Sequence, residues 1–453
     1  MITTPIFTRI MSTTDFGQYG VFKSWFGIIS IVIVLSLTGG IHTQGLVKFE
    51  SAKSEYSSSL QGLTLTLVLA WFAVYLALPN TWNSLLSLTT VQMVAMFIVV
   101  WTGAVFGFWA NEQRAVYAYR NLVLVTLIFS IVKPVLELVL MQHSTDKATA
   151  RILGWVIVDL LAFGWMFVSQ MRRGRVFYSS RFWPYALKYS IPLIPHYLSQ
   201  TVLLGADRIM IQKMIGLGQS GIYYLVYSIS MIMTLFNSAL MQTISPWMYQ
   251  KIKERKEKDI APVAYSTLIL IAALNLALIL LAPEAVVLFA PKAYYDAIWI
   301  IPPVAMSVFF MYTYDLFAKF AFYYERTMSI MVASIIGALL NVGLNYVFIH
   351  RFGYIAAGYT TLVCYAIYSI AHYLIMRKVC RQFCNGNYPY ETKKIVLISV
   401  LFVAAGFILL VTYNHPAIRY GIVISAAVCI IVLRNRIADL VKKLIRFRKN
   451  EIG

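Results

Sequence analysis

The chain has 453 residues, 60% of them hydrophobic and 12% charged, with a mean hydropathy of +0.72. A soluble domain carries about 25% charged residues, and a single aqueous core stops growing beyond roughly 250–300 residues, so one water-soluble core is excluded and the solvent of this fold is a bilayer. The net charge of +20 raises nucleic acid as a partner, which the placement of the charges then removes.

Apolar runs near ~20 residues, the length that crosses a bilayer, recur from end to end and predict an all-α, polytopic helix bundle. In chain order the spans fall at 20–41, 58–79, 84–107, 118–141, 151–170, 186–213, 220–246, 261–283, 297–319, 328–349, 355–377, 394–413 and 417–434. That makes thirteen, joined by loops short enough to make neighbours antiparallel. Alternate loops differ sharply in charge. The set 42–57, 108–120, 171–189, 250–260, 319–328, 377–394 and 434–453 holds 28 of the 38 Lys and Arg, and the other set holds 6, Arg9, Lys147, Arg151, Lys292, Arg351 and Arg419. By the positive-inside rule the first set is cytoplasmic, with "KIKERKEK" at 251–258 its clearest member. The C-terminus is then cytoplasmic, and most of the charge serves topology and attraction to lipid headgroups. No nucleic-acid partner is expected. Cys364, Cys380, Cys384 and Cys429 complete no metal-ligand pattern and are expected as unpaired thiols, with no metal and no cofactor.

One phrase occurs twice. "TRIMSTTDFGQYGVF" (8–22) and "DRIMIQKMIGLGQSGIYY" (207–224) both read Arg-Ile-Met, then Gly-Gln-x-Gly followed by an aliphatic and an aromatic residue. A spacing of about 200 residues is that of a parallel internal repeat, as in transporters whose substrate binds between two halves. Arg208 closes a long apolar span, whereas only "MITTPIFT" precedes Arg9. The expectation is therefore a fourteen-span fold whose first helix is truncated in this chain. An N-terminal lobe would occupy 1–170 with five full spans, a second lobe 186–377 with six, two additional spans 394–434, and a basic cytoplasmic tail 435–453.

"TPIFTRIMSTTDFGQYG" resembles the external loop after the first helix of Wzx-type polysaccharide flippases. Ile191 to Ile232, "IPLIPHYLSQTVLLGADRIMIQKMIGLGQSGIYYLVYSISMI", resembles their seventh and eighth helices, where an Asp-Arg pair followed by Gly-x-Tyr is typical. That family is grouped with multidrug exporters of the MATE type and with lipid II flippases. The resemblance implies a V-shaped, alternating-access transporter of the bacterial inner membrane. It would move polyprenyl-diphosphate-linked oligosaccharide repeat units to the outer leaflet, for O-antigen (lipopolysaccharide) or capsule. H+ or Na+ would be the coupling ion and a polysaccharide polymerase a further partner.

A lipid-linked sugar needs cations for its diphosphate. Four basic residues sit in or beside spans: Lys23, Lys133, Arg208 and Lys213. A charge at the bilayer centre costs at least ~2.5–3.5 kcal/mol. Lys23, three residues into its span, either snorkels or faces a cavity. Lys133 precedes Pro134 and lies four residues before Glu137, so it either pairs with that acid on its own helix or presents a cation that Glu137 tunes. Arg208 is either an interfacial anchor or a diphosphate contact, with Asp207 at the gate, and Arg9 holds the equivalent place in the other lobe. Asp159, Asp315 and Glu137 are the in-span acids and the candidates for ion coupling. Asp315 has Lys319 at i+4, while Asp159 has no charged neighbour at i±3 or i±4. Asn275, Asn341 and Asn345 either bond between helices or line a wet cavity, and Pro192 and Pro195 are expected to break the start of span 186–213.

The sequence carries no GxxxxGK[ST], HExxH or GxSxG motif, and no enzyme is expected. Two alternatives stand beside the flippase: a multidrug or small-molecule cation antiporter of the same fold, and a membrane-embedded glycan polymerase or ligase. The latter needs a long external loop, where the outside segments here run to about ten residues.

Overall fold

The computed structural model describes residues 3–425 together with 428 and 431. Among these it contains α-helices and short 3-10 turns, and no strand. Eleven segments are long and apolar enough to cross a membrane, so the chain is a multi-pass membrane protein. Their outward faces are apolar. Along one helix, Val123, Leu127, Ile131, Val135 and Val139 are all exposed, a surface that only lipid accommodates.

The chain divides into two compact units, Ile6–Gly221 on one side and Ile222–Gly453 with Met1–Pro5 on the other. The first contains most of α1 (Thr4–Ile10), then α2 (Thr13–Val34), α3 (Gly40–Lys48), α4 (Lys53–Ala77), α5 (Pro79–Leu86), α6 (Thr90–Ala115), α7 (Tyr119–Gln142), α8 (Lys147–Gly174), α9 (Phe182–Ser190) and α10 (Ile194–Met214). Its core gathers Val21, Phe22, Met96, Val99, Phe108 and Ile152 from α2, α6 and α8. α2 also lies along α10, closely enough that a Cβ on Gly27 would stand 2.9 Å from the Thr201 methyl. That packing joins α9 and α10 to the first unit, whose boundary falls at Gly221, beyond the 186 read as the start of the second lobe.

α11 (Leu217–Ser230) straddles the boundary. The second unit continues with α12 (Ile232–Lys253), α13 (Ile260–Leu280), α14 (Ala282–Phe289), α15 (Ile301–Tyr323), α16 (Thr327–Phe352), α17 (Ala356–Phe383) and α18 (Thr392–Val411). α15 is its central helix, with Met306, Phe309, Tyr312, Leu316 and Phe320 packed into one cluster with Met248, Ile260 and Met376. α16 and α17 are tied where Thr360 donates to Asn345 Oδ1, and within α16 Asn345 donates 3.2 Å to Asn341. Asn275 instead bonds its own helix, at Ile271 O.

The helices differ from the predicted spans where polar caps decide. α2 begins at Thr13, not 20, because Ser12 and Asp15 form a reciprocal capping box, which satisfies orphan N–H groups at a helix start. It ends where Leu35 and Ser36 adopt positive φ. The predicted span 84–107 is α5 and α6, separated at Ser87 (φ 55°) and by the Thr89–Gln92 capping box. The predicted span 186–213 is two helices around a 3-10 turn at Ile191–Leu193, and it is not among the eleven. Pro192 and Pro195 remove backbone donors there. Of the span 417–434, residues 416–425 are helical; most of the remainder, like the tail 435–453, lies outside the described residues.

The repeated phrase is used as a crossing. In the first unit α2 meets the start of α11 with Gly17 against Leu217 and Gly221, and Gly221 against Thr13. A Cβ on either glycine would overlap a backbone carbonyl oxygen of the other helix. Only glycine allows backbones this close, so the first Gly of one copy packs on the last Gly of the other.

Candidate functional site

The first unit holds an ionic cluster between α2, α7 and α8, and its positioning begins with a cap. Asp146 accepts from Thr149 N at 2.9 Å and starts α8 at Lys147. Arg151, Trp155 and Asp159 then fall at i, i+4 and i+8, one stripe on one face. α7 presents Lys133 and Glu137 as a matching stripe, and the two helices run together where Gly154 leaves room: a Cβ there would lie 2.7 Å from Glu137 Cα.

Because the helices are antiparallel, the charges pair across the contact. Lys133 Nζ reaches Asp159 Oδ1, and Arg151 Nε reaches Glu137 Oε2 at 3.2 Å. Both carboxylates are buried, with side-chain exposures of 4% for Asp159 and 8% for Glu137. Trp155 Nε1 donates a second bond to Asp159, at 2.7 Å. Arg151 is sandwiched between rings, its Cζ 3.6 Å from the Phe7 centroid and 3.8 Å from that of Tyr19. Such stacking suits a planar, weakly hydrated guanidinium.

Lys23, midway along α2, completes the cluster. Its Nζ lies 3.8 Å from the Trp155 ring centroid and 5.7 Å from that of Phe26, while Phe22 and Phe26 meet the same indole edge-on. Among the described residues no carboxylate comes within ion-pair distance of Lys23. Three cations therefore face two carboxylates, leaving one net positive charge held over an aromatic face.

These contacts change several sequence expectations. Lys133 does not pair with Glu137 on its own helix, because the facing helix offers each a better-placed partner. Asp159 is not isolated, since Lys133 comes to it from α7. Arg151, read as an external loop residue, is buried in the second turn of α8. Lys23 does not snorkel to a helix end; it turns inward over Trp155. The remaining candidates lie elsewhere. Arg9 is exposed on α1. Asp207 and Arg208 are buried on α10, with the Arg208 guanidinium turned back onto Leu204 O. Asp315 makes the expected i+4 pair with Lys319, at 2.8 Å. Sequence reasoning missed Arg151 and Trp155, and the signal that finds them is the Asp146–Thr149 cap.

A second paired group sits at α14. Arg419 Nη1 and Nη2 hold the two Glu284 oxygens at 2.8 and 2.5 Å, and Tyr420 O–H donates to Oε1 at 2.8 Å. Burial pushes the Glu284 carboxyl up, but the bonds from Tyr420 and Arg419 outweigh it and hold it below its ordinary value.

The eleven spans and the two units define a polytopic membrane protein with an ionic cluster inside one unit. The fold is that of MATE-type transporters of the MOP superfamily. An inward-facing multidrug resistance MATE transporter aligns with a TM-score of 0.66 at 13% identity, over 85% of this chain and 95% of its own. An outward-facing one aligns with a TM-score of 0.56 at 15% identity, over 85% and 92%. No curated protein sequence matches the chain. The family model described as polysaccharide biosynthesis protein matches residues 1–252, and the chain belongs to that family.

Proposed function

We propose that this protein is a membrane exporter that flips polyprenyl-diphosphate-linked oligosaccharide repeat units from the cytoplasmic to the outer leaflet of a bacterial inner membrane, by alternating access, for surface polysaccharide. The family and the fold support an exporter in polysaccharide biosynthesis. The observation that carries the finer reading is Lys23: a mid-membrane cation with no carboxylate partner among the described residues, in a cluster with a surplus positive charge. A diphosphate is the part of the substrate that the bilayer tolerates least, and a fixed cation over an aromatic face lowers that cost. Lys133 and Arg151 are held by their acids and shape the field around Lys23. Asp159 and Glu137 are the coupling candidates nearest the cargo, and Asp315 is a third in the other unit. The surplus positive charge disfavours a cationic drug as cargo.

Deleting the gene and assigning polyprenyl-linked glycans to leaflets tests this. Complete repeat units trapped on the cytoplasmic leaflet are expected. Complete units on the outer leaflet would instead indicate a polymerase or ligase, and a normal glycan profile with altered drug sensitivity would indicate an antiporter.

A further inference from the structure

The end of the first unit that carries the N-termini of α2, α6 and α8 holds a cavity of about 380 Å³, within the size range of small-molecule sites. It lies at the opposite end from the Arg172, Arg173 and Arg175 cluster that closes α8, which is the outward end in the orientation proposed above. Its lining is mixed, with the polar side chains of Asp15, Gln18, Asn83, Ser87, Gln92 and Asp146 set beside Leu88, Ala148 and Leu217.

These groups hold one another in fixed orientation. Gln18 Nε2 spends both hydrogens, on Ser87 O at 3.0 Å and Gln92 Oε1 at 2.8 Å. Gln92 is buried, takes the Thr89 N–H as part of the α6 cap, and donates to Thr149 at 2.9 Å. Asp15 engages Ser12 through one oxygen. What these bonds leave unspent is acceptor capacity: the Gln18 carbonyl oxygen and the second Asp15 oxygen. The two lysines at this end are committed to backbone, Lys147 Nζ to Ile10 O at 2.7 Å and Lys213 Nζ to Leu85 O at 2.5 Å. A pocket with two carboxylates and oriented amide oxygens repels a phosphate and wants a ligand rich in hydroxyl donors.

We infer that this cavity is a binding site for a neutral sugar of the glycan, separate from the cation that meets the diphosphate. The inference rests on the flippase reading for its biological sense, but sugar binding to the purified protein is measured without transport. The two sites divide the head group by chemistry: anion at Lys23 in the membrane, polyol at the polar rim.

The test uses the full chain in lipid nanodiscs. Glucose, galactose, rhamnose and N-acetylglucosamine are each titrated by saturation-transfer NMR, beside inorganic diphosphate and tetraphenylphosphonium. Saturable binding of at least one sugar is expected, weakened at least tenfold in Gln18→Leu, which removes an oriented acceptor. The same loss is expected in Thr14→Trp, which fills the mouth from an exposed position and leaves the amide network intact. Lys23→Leu should leave sugar binding unchanged. Binding by none of the four sugars, binding that survives Thr14→Trp in protein of unaltered melting temperature, or tetraphenylphosphonium bound at this rim in preference to every sugar would overturn the proposal. A sugar site in a chain whose deletion traps no lipid-linked units would retain the site and reject the flippase.

Discussion

Lys133 and Lys23 are both mid-helix lysines, and the structure predicts opposite consequences for removing them. Lys133→Leu strands the Asp159 carboxylate, whose side chain is 4% exposed. Breaking a buried pair from one side costs about 3–5 kcal/mol, a large share of the 5–15 kcal/mol that holds a typical domain together. The Trp155 bond remains and limits the loss. The double variant Lys133→Leu/Asp159→Leu removes both charges, leaves the cluster's net charge unchanged, and should recover most of that stability. Lys23→Leu strands no acid and forfeits only a cation–π contact, worth about 2 kcal/mol when desolvated, yet it takes the net charge of the cluster to zero. The assay pairs thermal unfolding in detergent with leaflet assignment of the lipid-linked glycan in a deletion strain carrying each variant. Lys23→Leu should fold and fail to transfer, and the double variant should fold, its transfer reporting whether Asp159 is needed for coupling. A stable double variant that fails while Lys23→Leu transfers normally would refute the assignment of the cargo's anion to Lys23.

Arg151→Ala should destabilise by about 3–5 kcal/mol, since it leaves Glu137 buried and unpaired; Arg151→Ala/Glu137→Gln should regain most of it, read as melting temperature. Gly221→Ala places a methyl against the Thr13 carbonyl and forces α2 and α11 apart, an overpacking cost of typically 1–3 kcal/mol. Reduced transfer at normal protein level is expected, and wild-type transfer would remove any role for that crossing. The Glu284 carboxyl lies below its ordinary value of 4.5, so its pairing stabilises the fold above that pH and is lost as pH falls through the folded value. Melting temperature should therefore drop on acidification below about 4.5, and Arg419→Gln should flatten that dependence.

The spans were legible because apolar runs of membrane length leave few alternatives. Their ends were less so, because the apolar run and the helix are different objects. α2 starts seven residues before its apolar stretch, at a capping box, and α5 and α6 part at a serine in the left-handed region. The ionic residues were visible as chemistry but not as pairs. Sequence spacing gives i+4 neighbours on one helix, which offers Glu137 as the only partner for Lys133 and leaves open whether the two pair. The antiparallel neighbour exchanges the partners, and nothing in local spacing specifies which face α8 turns to α7. Arg151 was lost to a boundary: starting α8 at the Asp146 cap places it inside, four residues before Trp155 and eight before Asp159.

The pairing across α7 and α8 also bears on how the protein enters the membrane. Four charges lie on two consecutive helices joined by residues 143–146, and each charge finds its ionic partner on the other helix. Inserted one at a time, these helices would carry Lys133, Glu137, Arg151 and Asp159 into hydrocarbon uncompensated, at roughly 10 kcal/mol in total. Inserted together as a hairpin, they arrive with the charges already cancelled. The translocon would thus handle α7–α8 as one unit of biogenesis, and Lys23 on α2 would wait for that hairpin to arrive before its aromatic seat over Trp155 exists.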